Sequence, residues 1–314
     1  MLKRMAWVVL AVLLALAACQ TREENAAPAD AYYTFTDDAG QTVVLQEKPQ
    51  TVAVLFSSFA DIWVTAGGDV AVTVGETVER GFAEDAALLV DSGAGKTIDA
   101  ELLLASEPDL VIGSADLEGQ VNACRLAAEA GIPAALFRVD SLEDYLRALK
   151  ISTDITGNAD AYETYGVQVQ AAAEAVLAQT ENAEEKEILF IRAGSKASAT
   201  KAKTAADNFV CVMLDALGAH NIAEDAPVLL DGLSLEEILL RDPDYIFIST
   251  MGSEEEAKAY MESVFTTEGW NTLTAVREGN YTFLPKELFH FKPNARWAEA
   301  YAYLAELLYP ELTQ

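Results

Sequence analysis

Short apolar runs alternate with longer amphipathic stretches along most of this chain. Thr51 to Phe56 (TVAVLF) is nearly all apolar and reads as a strand buried on both faces. Ser57 and Ser58 follow, then a helical run through Ala66 that Gly67-Gly68 stops. Ala71 to Val74 and Leu110 to Ile112 are further short strands, and Ala100 to Ala105 is helical. Val121 to Ala130 is helical, Gly131-Ile132-Pro133 ends it, and Ala134 to Phe137 is a strand again. The pattern then restarts. Ile188 to Ile191, Tyr245 to Ser249 and Tyr281 to Leu284 are strands; Asn208 to Leu217, Leu235 to Leu240 and Trp297 to Leu308 are helices. Such alternation predicts an α/β protein of two Rossmann-like lobes with mainly parallel central sheets.

Between the halves, Ser141 to Thr180 has almost no strand character and no proline. Gly157-Asn158 is its one clear break, and the apolar spacing of Tyr162, Tyr165, Val169, Ala172 and Val176 is near 3.6. One long helix here would join the lobes. The expected organisation is residues 31–140 for the N-terminal lobe, 141–182 for the connecting helical segment and 183–314 for the C-terminal lobe.

A repeat ties the halves together. Asp99-Ala-Glu101-Leu-Leu-Leu-Ala-Ser-Glu-Pro108-Asp109 matches Ser234-Leu-Glu236-Glu-Ile-Leu-Leu-Arg-Asp-Pro243-Asp244 at a constant offset of 135 residues. Asp99 and Ser234 are helix N-cap types, and Pro-Asp ends each helix before the next strand. Glu101 and Glu236 then fall in the first helical turn, where the helix dipole favours an acid.

The chain has 314 residues, 51% of them apolar and 23% charged, ample for a packed core. Fifty acids against 21 Lys and Arg give a net charge of −29, which repels phosphate backbones and excludes general nucleic-acid binding. Two histidines, His220 and His290, cannot build a three-histidine metal site, and three cysteines cannot make a disulfide framework. Cys124 and Cys211 each sit in a helix-like apolar pattern and read as buried free thiols.

The first residues are an address. Lys3 and Arg4 precede an uncharged, mostly apolar run from Met5 to Ala18, too short to span a bilayer comfortably but right for a signal-peptide core. Leu16-Ala17-Ala18-Cys19 resembles a bacterial lipobox, which makes residues 1–18 a lipoprotein signal peptide and Cys19 the lipidated residue. Residues 19–30 (CQTREENAAPAD) are mostly polar and read as a flexible tether. The expected location is the extracytoplasmic face of the cell membrane. No standing ATP or NADH supply exists there, which argues against enzymes that consume them.

Four segments resemble one family. TVAVLFSSFADIWVTAGGDVAVTVGET is similar to the opening of solute-binding proteins for iron–siderophore, haem and cobalamin uptake. IDAELLLASEPDLVIGS and LSLEEILLRDPDYIFIST look like their two strand-entry segments, and EGWNTLTAVREGNYTFLP resembles their late Trp-x-x-Leu-x-Ala-Val-x-x-Gly motif. The resemblance covers roughly residues 51–310. It implies two α/β lobes with the ligand between them, no catalytic activity, no resident cofactor or metal, and delivery of a ferric siderophore, haem or corrinoid to an ABC permease and its ATPase subunits. It further implies a monomer, and a glutamate on each lobe docking onto permease arginines. The matching positions are Glu101 and Glu236. The first loop departs from the family's usual Ser-Pro-Ser-x-Thr-Glu and reads Phe56-Ser57-Ser58-Phe59-Ala60-Asp61.

In open α/β sheets ligands meet the loops at the carboxyl ends of strands. Those loops are Ser57-Ser58-Phe59, Gly113 to Asp116, Arg192 to Lys203, Thr250-Met251-Gly252 and Lys286 to Arg296. Two of the 21 basic residues lie in the leader, and of the other 19, seven crowd into 192–203 and 286–296. They are Arg192, Lys196, Lys201, Lys203, Lys286, Lys292 and Arg296. In so acidic a protein this predicts an anionic ligand, with Arg192 at a strand end as a carboxylate clamp. Phe289-His290-Phe291 adds aromatic faces that suit a planar ligand, and His290 is a candidate axial ligand should that be haem. Trp63, Trp270 and Trp297 read as core anchors. The candidate ligand contacts are therefore Ser57, Ser58, Phe59, Arg192, Lys196, Lys286, His290, Lys292 and Arg296.

Rival functions are thinly supported. Ser92-Gly-Ala-Gly95-Lys96-Thr97 looks like the end of a phosphate loop, but Val90 stands where that pattern needs its first glycine. A free-metal-ion binder lacks clustered ligands, and an extracellular chelatase lacks a recognisable acid/base pair.

Overall fold

The computed structural model describes residues 30–91 and 97–312. The signal peptide, Cys19, the tether before Asp30 and residues 92–96 of the glycine-lysine segment lie outside the described residues. The chain opens with an antiparallel hairpin, β1 (Tyr33–Thr36) and β2 (Thr42–Leu45), which the hydrophobic pattern did not single out. Asp37 ties the hairpin to the lobe: its buried carboxylate accepts from the backbone of Ala39 and Gln41, and from Leu136 at 3.0 Å.

The N-terminal lobe is a five-stranded parallel sheet. Its strands are β3 (Val52–Val54), β4 (Val72–Thr73), β5 (Leu88–Leu89), β6 (Leu110–Ser114) and β7 (Ala134–Phe137), in the order β5-β4-β3-β6-β7. Helices α1 (Ser57–Thr65), α2 (Gly75–Glu79), α3 (Ala100–Ala105) and α4 (Glu118–Glu129) make the crossovers. Gly67 ends α1 with φ +87°, and Gly68 lets the Trp63 ring fold down on the backbone: a Cβ there would meet the ring at 2.2 Å.

The C-terminal lobe repeats the plan. Strands β8 (Lys186–Ala193), β10 (Ala219–Asn221), β11 (Tyr245–Thr250) and β12 (Tyr281–Phe283) are parallel in the order β10-β8-β11-β12, and the short β9 (Lys201–Ala202) turns back antiparallel on β8. Its principal helices are α7 (Phe209–Ala216), α8 (Leu235–Arg241) and α9 (Glu254–Phe265), the last also missing from the pattern reading.

The connection differs in detail from a single rod. Helix α5 (Leu142–Thr156) packs on the N-terminal lobe, opens with a Ser141–Asp144 capping box and ends at left-handed Gly157. After the Gly157-Asn158 break, Ala159–Tyr162, a π-helical turn over Glu163–Val167 and Gln168–Thr180 run on as one composite helix, α6, which carries the chain to β8. The closing helix α10 (Trp297–Leu308) packs along α6. Apolar clusters cover the outer face of each sheet, while a third is continuous from Val54 and Phe59 through Ala173 and Leu304 to Ile188 and Phe190. Trp63, Trp270 and Trp297 are core residues, at 2%, 6% and 0% exposure. Cys124 and Cys211 are free and buried. Among the described residues no helix is long and apolar enough to cross a membrane.

Candidate functional site

The carboxyl ends of the two sheets meet through one segment, residues 284–296, which follows β12. From it Asn294 Nδ2 donates to Ser58 O at 2.7 Å and to Asp61 Oδ2 at 2.8 Å, and the Lys292 ammonium pairs with Asp140 at 2.7 Å. Asn294 holds φ +51°, a left-handed backbone asparagine tolerates, and this turns its amide into the other lobe. Two cavities flank the segment.

The smaller, about 140 Å³, is lined by Asp140, Arg192, Asp207, Asn208, Phe209, Ser249, Phe289, His290 and Lys292. Arg192, the penultimate residue of β8, lies beside Ser249 in the parallel register. Its guanidinium is half-buried and makes no ion pair among the described residues, and burial lowers its pKa, with Asp207 the one opposing charge. The cavity's other charges are already matched. Lys292 holds Asp140, and Lys203 holds Asp207. His290 donates Nδ1–H to Thr250 O at 3.1 Å, which leaves Nε2 with its lone pair. Its pKa is lowered by burial first, then by Lys286 and Arg192, so the ring is neutral near neutral pH.

The larger cavity, about 450 Å³, is lined by Asp61, Glu79, Arg80, Phe82, Glu287, Phe291, Lys292, Pro293, Ala295 and Arg296. Arg80 dominates it and was missed by the sequence reading. Its guanidinium lies 3.9 Å from the Phe291 ring centre and 4.8 Å from that of Phe82, and donates to Ser57 Oγ at 2.9 Å and Ser58 Oγ at 3.3 Å. Ser57 Oγ in turn donates to Glu76. The signal for Arg80 was present: it caps the end of α2, on the connection that follows β4, and the sequence reading passed over that connection.

The sequence candidates thus separate. Ser57 and Ser58 are corrections as direct contacts: both are fully buried at the start of α1 and line neither cavity, and their hydroxyls hold Arg80 and, for Ser58, the 284–296 segment. Phe59 is a correction. Its side chain is 3% exposed and packs edge-on against Phe56 and Phe137, because position 59 lies on the inward face of α1. Lys196 is also a correction: it is exposed on the β8–β9 turn and lines neither cavity. Lys286 is a further correction, lining neither cavity and donating instead to Gly252 O at 3.0 Å, whereas Arg296 pairs with Glu299 at 2.6 Å while lining the larger cavity. Phe289 is 2% exposed against Tyr303 and is mainly core, whereas Phe291 faces Arg80. The basic concentration therefore reduces to few unmatched cations.

Glu101 and Glu236 are both exposed in the first turns of α3 and α8. Each helix precedes an interior strand, β6 or β11, of a parallel sheet, so each glutamate lies at the carboxyl edge of its lobe. Leu102 on α3 and Leu239 and Leu240 on α8 are exposed beside them, Leu240 at 77%.

The family model for periplasmic binding proteins matches residues 52–288. The chain belongs to the periplasmic binding protein family. Members are extracytoplasmic solute-binding components of ABC transporters. Solved structures share the fold. The TroA-like periplasmic binding protein FepB from Veillonella parvula aligns with TM-score 0.71 and 18% identity, over 90% of this chain and 91% of that one. The periplasmic haem-binding protein RhuT from Roseiflexus sp. RS-1 gives 0.66 and 19%, over 84% and 99%. Staphylococcus aureus SirA, solved with staphyloferrin B, gives 0.66 and 16%, over 88% and 98%. No curated protein matches the chain significantly.

Proposed function

We propose that this family member is a lipid-anchored solute-binding component that captures a ferric siderophore or related anionic iron complex between its lobes and delivers it to an ABC permease. The observation that carries this reading is Arg192: a half-buried guanidinium without a carboxylate partner among the described residues, at the wall of an interlobe cavity whose other cations are matched. A buried charge is costly until it is paired, so the vacancy favours an anion. Similar folds that bind haem or staphyloferrin B support an iron-bearing ligand. Haem is the second reading, favoured by the free Nε2 of His290. Cys19 supplies the anchor, and Glu101 and Glu236, on rigid helix starts with exposed leucines alongside, supply the permease contact.

Two measurements test this. Ferric complexes and haem added to the protein should quench its tryptophan fluorescence without turnover; no response at micromolar concentration to any of them refutes the reading. Replacing both Glu101 and Glu236 by alanine should leave ligand affinity unchanged and abolish uptake by cells. Normal uptake in that double variant removes the docking assignment.

A further inference from the structure

Resting on the capture of an iron complex proposed above, we infer that the chelator is a polycarboxylate, held by one arginine from each lobe: Arg192 and Arg80. The two guanidiniums share an unusual condition. Each is partly buried, each has its pKa lowered by that burial, and neither forms an ion pair among the described residues. Arg80 has acids in its field, Asp61, Glu76 and Glu287, but its contacts are two serine hydroxyls and two aromatic rings. These interactions hold a guanidinium without neutralising it. A cation on an aromatic face gains less than a well-placed carboxylate offers in a desolvated site.

The division of space points the same way. The Arg192 cavity, about 140 Å³, has the volume of about five liquid waters, room for a carboxylate arm. Ser249 and Asn208 line it beside the arginine and add neutral hydrogen-bonding groups. The cavity beside Arg80, about 450 Å³, takes the body of the chelate. Its charges are mixed, with Asp61, Glu79 and Glu287 against Arg80, Lys292 and Arg296, so it selects weakly by net charge. Lys292 lines both cavities. Guanidinium discriminates among anions by its planar fork, which matches the two coplanar oxygens of a carboxylate. Hydroxamates bound to iron present no free carboxylate to either arginine. Phe291 and Phe82 serve as the rest position of Arg80, from which it turns onto a ligand carboxylate.

The test is titration of the full chain, purified in detergent, with three probes read by tryptophan fluorescence: ferric citrate, the ferric complex of desferrioxamine, and haem. Ferric citrate is expected to bind at least tenfold more tightly than the other two. Arg192→Gln and Arg80→Gln should each weaken it at least tenfold. Arg192→Lys and Arg80→Lys, which keep the charge and lose the fork, should restore only part of the loss. Circular dichroism melting separates a lost contact from a lost fold. Equal or tighter binding of ferric desferrioxamine or haem overturns the polycarboxylate assignment and leaves the iron-complex reading standing. Unchanged citrate affinity in folded Arg80→Gln overturns the two-arginine clamp. Failure of all three probes defeats both this inference and the function on which it rests.

Discussion

At the scale of single residues, burial sorts the charged groups. Lys203, Lys292 and Arg296 reach carboxylates and are satisfied; among the described residues Arg80 and Arg192 reach none. His290 responds to burial by losing its proton. Burial acts first, the positive charges of Lys286 and Arg192 add to it, and the hydrogen bond to Thr250 O and the charge of Glu76 oppose it, so the folded pKa falls below its ordinary 6.5. Between the lowered value and 6.5 the unfolded chain binds a proton that the folded chain does not. Stability must therefore fall as pH drops through 6.5, and continue falling to the folded pKa. Melting temperatures measured from about pH 7.5 to about pH 5.5 should decline less steeply in His290→Gln than in the parent. Identical slopes would show that His290 does not contribute to the acid sensitivity.

At the scale of elements, the 135-residue repeat proves to be a structural device at more steps than the sequence shows. Asp109 Oδ2 accepts from the backbone of Gln50 and Thr51, each at 2.8 Å, and Asp244 Oδ2 accepts from Glu187 at 3.0 Å. Each aspartate thereby fixes the entry of the neighbouring strand, β3 or β8. The residues before the two prolines, Glu107 and Asp242, share left-handed backbones with φ +47° and +44°. Proline disfavours helical geometry at the preceding residue, and the chain escapes through this rare conformation. Glu107→Gly should consequently be neutral or stabilising by up to about 1 kcal/mol, since glycine accepts the conformation freely. Asp242→Gly should destabilise by about 1 kcal/mol, because Asp242 also accepts from Thr274 N at 2.8 Å and Thr274 Oγ1 at 2.7 Å. Chemical denaturation of the two variants gives the comparison, and the reverse order of stability would sink the explanation.

At the scale of the whole molecule, the lobes are two in topology and one in packing. Each sheet has its own outer cluster, but the cluster between them passes through α6 and α10 without a gap. Unfolding one lobe would expose the apolar faces of both helices. Calorimetry should accordingly show a single transition with matching calorimetric and van't Hoff enthalpies. Two resolved peaks would mean that the lobes fold independently. The same shared core, with Asn294 bridging to Ser58 and Asp61, favours a fixed interlobe angle over wide hinge motion.

Much of this was legible from residue order. Apolar runs marked β3, β6, β7, β8 and β11 because strands buried on both faces leave an unbroken apolar signature. The helix at Ala100–Ala105 was marked by its Asp99 cap, and Trp297–Leu308 by its amphipathic spacing and Pro310 beyond it. The hairpin β1–β2 and helix α9 were not, since neither combines a long apolar run with clear stop signals. For the site, local order located the strand-end loops and the excess of basic residues, because those depend on neighbours in the chain. It could not tell which cations would be neutralised. Asp140 reaches Lys292 across 152 positions, and Arg80 meets Phe291 only once the two lobes are joined. Pairing and burial are properties of three-dimensional neighbours, so the tertiary structure alone decided that Arg80 and Arg192 meet no carboxylate among the described residues and that Phe59 belongs to the core.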